Sequence, residues 1–205
     1  MFHPDSQLLK IMTWTAQMVE IQLYWLFGII KGLVIFGFFP ATLSMVIVMR
    51  ELIRKGETQS IRKFFFTTYK KEFKTANFIG LLVTVTTIIL VLNFRLSLSL
   101  NQSLENYFIW LTYAVLILWC VVCMYLFPIY AHFQLSYKQL FVKAVMIIFL
   151  CPIETILLFL STLIFLWSLS YIAILGVFVS CAMYVYVIVR ITNYSFQKLE
   201  KKVVV

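Results

Sequence analysis

Asn77-Phe78-Ile79-Gly80-Leu81-Leu82-Val83-Thr84-Val85-Thr86-Thr87-Ile88-Ile89-Leu90-Val91-Leu92 is a run without a charged side chain. Its Phe, Ile, Leu and Val residues together favour entry into a bilayer by about 3–7 kcal/mol. A helix rising 1.5 Å per residue needs about 20 residues to cross about 30 Å of hydrocarbon. The run therefore predicts a membrane span. Comparable runs lie at Val19 to Phe39, Phe108 to Phe127, Val145 to Phe165 and Leu169 to Val189. The expectation is an all-α integral membrane bundle of about five spans, forming one membrane domain over residues 1–205.

Composition points the same way. The 205 residues are 63% hydrophobic and 12% charged, with a formal net charge of +9, whereas ordinary soluble domains carry about 25% charged residues. Nucleic-acid domains display their cations on a polar surface, but here they stand between apolar runs, so no nucleic-acid partner is expected. Met1 to Ser6 has no positively charged leader, so no cleaved signal peptide is expected.

The cations set an orientation. Arg50, Arg54, Lys55, Arg62, Lys63, Lys70, Lys71 and Lys74 separate the first two runs, Lys138 and Lys143 the third and fourth, and Arg190, Lys198, Lys201 and Lys202 follow the fifth. Only Lys10 and Arg95 fall on the opposite side. The positive-inside rule then gives the amino terminus outside and the carboxyl end in the cytosol. Tyr107 with Trp110, and Trp167 with Tyr171, fall at the outer ends of spans, as an aromatic belt would, although a chain that is 18% aromatic supplies such pairs by abundance.

The segment between the first two runs reads as cytosolic helices. Gly37 and Pro40 mark a helix break, with a new helix starting at Ala41, because proline lacks the N–H that a first turn does not need. Ala41 to Met49 is too short to span, and Gly56 is a stop signal. From 57 to 76, Phe64, Phe65, Phe66, Tyr69 and Phe73 recur at helical spacing among Lys70, Lys71, Glu72 and Lys74, an amphipathic helix.

Charges inside spans are candidate functional groups. Glu20 lies near a helix edge and reads as solvated at the interface. Lys31 and Glu154 fall at similar depth, about 10–13 Å from the cytosolic side. Either they pair, or Lys31 snorkels to the headgroups while Glu154 bonds locally beside a kink at Pro152. Arg50, Arg54, Lys55, Tyr69, Lys70, Lys71 and Phe73 are the candidates for contact with anionic lipid or with a partner.

Cys120-Val-Val-Cys123 has no second ligand pair, Cys151 and Cys181 lie in apolar stretches, and His3 and His132 are far apart. No metal, cofactor, disulfide framework or enzymatic motif is expected.

The runs Phe36-Gly37-Phe38-Phe39-Pro40-Ala41-Thr42, Val48-Met49-Arg50-Glu51-Leu52-Ile53-Arg54-Lys55-Gly56-Glu57, and Phe65-Phe66 through Tyr69-Lys70-Lys71-Glu72-Phe73-Lys74 to Ala76-Asn77 resemble the bacterial YesL family. The resemblance covers about the first two fifths of the chain. It implies a small multi-pass protein of the bacterial cytoplasmic membrane, often encoded beside carbohydrate ABC importers and two-component regulators. No catalytic or ligand residue comes with it, and the chain lacks the Glu-Ala-Ala-type coupling loop of a permease. A non-enzymatic accessory role beside an ABC permease or sensor kinase is the leading expectation. A small transporter using Lys31 and Glu154, or a structural lipid-interacting protein, are the alternatives.

Overall fold

The computed structural model describes residues 7–56, 60–98, 102–133, 135–171 and 173–203. His3 and Glu57 lie outside these residues, as do the side chains of Tyr107, Tyr171, Lys201 and Lys202. The described chain is helical throughout: α1 (Gln7–Lys31), α2 (Ile35–Lys55), α3 (Ile61–Ser97), α4 (Gln102–Phe133), α5 (Tyr137–Leu150), α6 (Pro152–Tyr171) and α7 (Ala173–Val203).

The apolar run expected to cross at Val19 to Phe39 is not one helix. It reverses at Gly32-Leu33-Val34, and α2 returns along α1. Leu33 and Val34 hold positive φ angles of 56° and 65°, which cost bulky side chains about 1–2 kcal/mol each. The stop is closed by the Val34 N–H donating to the Ile29 carbonyl at 2.9 Å, the long-range bond of a Schellman-type helix end. Glycine makes the reversal fit. A Cβ on Gly32 would lie 2.2 Å from the Gly37 Cα, and one on Gly37 would lie 2.4 Å from the Ile29 carbonyl oxygen. Farther from the tip, Gly28 packs on Ala41, and the Trp25 indole N–H donates to Thr42 at 3.1 Å. These pairings advance in opposite directions along the two helices, so the arms are antiparallel.

Two corrections follow. The break lies at 32–34 and not between Gly37 and Pro40: Gly37 is a contact glycine, and Pro40 is buried inside α2. Pro40 forfeits only a bond to the carbonyl of Phe36 near the helix start, which a helix tolerates. The expected amino terminus outside rested on a single crossing by residues 19–39. With the run folded back, the start of α1 stands at the same end as the close of α2, and α7 brings Asn193 and Gln197 to that end too.

The amphipathic helix and the second span are one helix. Ser60 caps α3 by accepting from the Lys63 N–H, and the helix then runs unbroken for 37 residues, about 55 Å. Its first half buries Ile61, Phe65, Tyr69, Glu72, Ala76 and Ile79 at helical spacing. Beyond Gly80, on whose Cα the Phe39 ring rests, the helix leaves the protein interior and exposes Leu81, Val85, Ile88, Ile89, Leu92 and Leu96. That contiguous apolar surface exceeds what a soluble monomer leaves to water and calls for lipid. The described residues contain four helices long and apolar enough to span: 35–55, 61–97, 108–133 and 152–169.

The expected spans at Val145 to Phe165 and Leu169 to Val189 also straddle helix ends. Cys151 leaves helical geometry (φ −127°, ψ 63°) after α5, and Pro152 opens α6, where its missing N–H costs nothing. The second of these runs crosses the joint between α6 and α7. Two apolar clusters hold the bundle. One joins the α1–α2 hairpin to Phe65 and Tyr69 of α3 and to Ala182, Val185 and Val189 of α7. The other joins α4, α5 and α6 to the far half of α7 around Tyr125, Ile129, Leu158 and Phe196.

Gly32→Ala and Gly37→Ala should each destabilise the protein by about 3 kcal/mol, because backbone must move to admit the methyl group. Gly56→Ala, at φ +78° with nothing within 4 Å, should cost about 1 kcal/mol. Thermal unfolding in detergent that ranked Gly56→Ala as worst would refute the close contact. Cysteines placed at Gln7 and at Gly56, both exposed, should react with a membrane-impermeant reagent from the same side. Reaction from opposite sides would restore the single crossing.

Candidate functional site

The two intramembrane charges singled out by sequence do not meet. Lys31 ends α1 at the hairpin tip with its Nζ 5.6 Å from the centre of the Phe66 ring, a cation–π contact. Glu154 lies in the first turn of α6 and is only 3% exposed. Its Oε1 accepts from the Lys198 Nζ of α7 at 2.9 Å. At the next residue, Thr155 shares a hydrogen bond with Tyr125 of α4 at 3.1 Å. Glu154 is thus part of a tie between α6 and α7, and the α6 amino end favours its negative charge. Hydrogen bonding to Glu154 raises the Lys198 pKa above its ordinary value. The pair therefore stabilises the fold below the normal lysine range, and alkaline pH removes that contribution as Lys198 loses its proton.

The cytosolic candidates divide among three tasks. Tyr69 is buried and donates its hydroxyl to the Gly28 carbonyl at 3.0 Å, locking α3 against the hairpin; Phe73 packs half-buried on the same cluster. Phe66 packs edge-on against Tyr24 and Phe27 of α1, and Phe65 packs tilted against Tyr24. The aromatic residues of the amphipathic helix are therefore used internally. Glu72, also buried, accepts from the Tyr130 hydroxyl of α4 at 2.7 Å. Lys70 and Lys71 remain on the exposed face. Lys55 and Arg54 both hold Glu51, at 2.6 and 2.9 Å.

Arg50 goes elsewhere. Its guanidinium reaches α4, with Nη1 donating to the Ala131 carbonyl at 3.3 Å and Nη2 lying 2.7 Å from His132 Nδ1. Beside this contact a cavity of about 620 Å³ opens between α2, α4 and α7, lined by Arg50, Arg54, His132, Arg190, Asn193 and Gln197 among others. The His132 ring is wedged against Phe133 and Phe196. A second, shallower cleft of about 310 Å³ at the start of α3 is lined by Ser60, Arg62, Lys63, Phe66, Thr67 and Lys70.

His132, Arg190 and Gln22 were not singled out from the sequence. Each had a faint signal: His132 and Arg190 stand where long apolar runs end, and Gln22 interrupts one. Gln22 is fully buried, and its Oε1 accepts from the Ala182 backbone N–H at 2.9 Å, fastening α1 to α7.

An all-helical bundle with an apolar exterior and cations gathered at one end is a polytopic membrane protein. Residues 18–94, the hairpin and most of α3, match the family described as "Protein of unknown function, DUF624". The chain is 28% identical over 147 residues to "Uncharacterized protein YesL" of Bacillus subtilis (strain 168), covering 71% of this chain and 68% of that protein. "Uncharacterized protein YesV" of the same organism is 32% identical over 139 residues, 64% of this chain and 63% of the relative. "Uncharacterized protein YteU" is 27% identical over 200 residues, 96% and 88% of the two lengths. Residues 18–94 are thus similar to the DUF624 family, and the chain as a whole is similar to these three YesL-like proteins. No solved structure is significantly similar, and neither the family description nor the relatives' names indicate an enzymatic activity.

Lys198→Met should destabilise more than the Lys198→Met/Glu154→Gln double variant, because the single change strands a buried carboxylate. The difference is held down by the partial exposure of Lys198. Lys31→Met and Glu154→Gln should be additive in the same thermal assay; coupling between them would reinstate the pairing of Lys31 with Glu154.

Proposed function

We propose that the chain is a non-enzymatic accessory protein of the bacterial cytoplasmic membrane, with the close of α2, the start of α3 and both ends of the described chain on the cytosolic side. It would engage a partner, an ABC permease or a sensor kinase, through the exposed basic face of α3. The association with saccharide uptake rests on the resemblance to the YesL family. The observation that carries the partner reading is the cleft at the start of α3, where Arg62, Lys63 and Lys70 line an open surface beside Phe66. Such a surface suits an acidic segment of a cytosolic loop, with specificity and encounter rate supplied by charge complementarity. Lys31 and Glu154 have separate partners, so the transporter alternative draws no support from a pairing between them.

Reversing Arg62, Lys63, Lys70 and Lys71 to glutamate should abolish co-purification of a permease or kinase from native membranes in mild detergent at low salt, while leaving thermal stability within about 0.5 kcal/mol, as for surface substitutions. If no such companion is recovered with the parent chain, or the reversed chain retains it, the accessory reading fails. Solute flux into liposomes containing the purified protein alone would favour the transporter.

A further inference from the structure

We infer that the cavity between α2, α4 and α7 is a binding site for a phosphate-bearing anion at the membrane–water boundary. The inference is independent of which partner the α3 face engages. Arg50, Arg54 and Arg190 supply guanidinium groups from two helices, and Asn193 and Gln197, one turn apart on α7, add amide donors. Guanidinium is planar, permanently charged and matched in geometry to two oxygens of a phosphate.

None of the residues lining the cavity is acidic. The neighbouring carboxylate, Glu51, is held by Arg54 and Lys55, so no carboxylate of the lining itself stands against an incoming anion. Arg50 is also held before any ligand arrives, by the Ala131 carbonyl and by His132, whose ring is fixed by Phe196. A fixed guanidinium loses less conformational freedom on binding than a free one.

Position along the helices narrows the ligand class. Arg50 directly follows the apolar run Ala41 to Met49, Arg190 directly follows Val189, and His132 closes the apolar α4. All three helices change from apolar to basic at this cavity, which puts it at the depth where headgroup phosphates stand. Basic pockets between spanning helices on the cytosolic side suit acidic headgroups. Its volume of about 620 Å³ exceeds that of a bare phosphate and accommodates a headgroup.

The test uses the full chain in phosphatidylcholine nanodiscs titrated with inorganic phosphate, and in nanodiscs containing phosphatidylglycerol, with melting temperature and retained lipid by native mass spectrometry as readouts. Phosphatidylglycerol should be retained and should raise the melting temperature. Arg190→Gln should weaken its retention about tenfold, the loss of one charge-assisted contact, and Arg50→Gln should weaken it at least as much. Arg190 is exposed and donates to the Tyr186 hydroxyl of its own helix at 3.1 Å, so its variant tests binding without a folding defect even if Arg50→Gln does not fold. Lys138→Gln, exposed on α5 and outside the cavity, should leave the retention unchanged. A response to phosphatidylglycerol alone identifies a lipid headgroup, and a response to inorganic phosphate in phosphatidylcholine identifies a free anion. Retention of neither, or equal retention by Arg190→Gln, overturns the site.

Discussion

The contact between Gly32 and Gly37 is the constraint on which the first half of the molecule depends. Only without a Cβ on either can the two backbones close to the observed separation. That closeness offsets the cost of holding Leu33 and Val34 in left-handed geometry. Once the hairpin is closed, Gly28 presents its carbonyl to Tyr69, α2 lies along α3, and Phe39 rests on Gly80. In a lipid solvent, apolar side chains gain little by leaving lipid for protein, so close backbone approach through small residues is what holds helices together.

Polar groups then fasten the elements that glycine does not. Gln22 joins α1 to α7, Glu72 accepts from α4, Glu154 accepts from α7, and Arg50 reaches α4. Each tie spans at least 44 residues of sequence. The cations that looked like a single basic loop therefore have distinct surroundings. Arg54 and Lys55 share Glu51, Lys198 serves the bundle interior, and Arg50, Arg54 and Arg190 line a cavity.

Much of this was legible before any coordinates. The uncharged run 77–92 and the periodic aromatic residues at 64–73 identified the two halves of α3, and the apolar composition identified the solvent. What hydropathy averaging missed was direction. A window over 19–39 sums side-chain transfer energies and is blind to a reversal made by Leu33 and Val34, residues with no turn signature; the nearby Gly37 and Pro40 drew the break to the wrong place. The joint at Cys151 was hidden likewise, since Pro152 reads equally as a kink within a helix or as the start of a new one. The grouping of Arg50, His132 and Arg190 is a tertiary fact: no spacing along the chain relates residues 82 and 58 positions apart.

The uninterrupted length of α3 has a mechanical corollary. Its lipid-facing end and its basic foot share one ladder of backbone hydrogen bonds, with no proline or loop between them to act as a joint. Helices longer than the local hydrocarbon thickness tilt to fit it. The lipid-facing stretch Leu81 to Leu96 and the foot bearing Arg62 and Lys63 are accordingly one continuous rod, held against the glycine-packed hairpin at Tyr69 and Gly80.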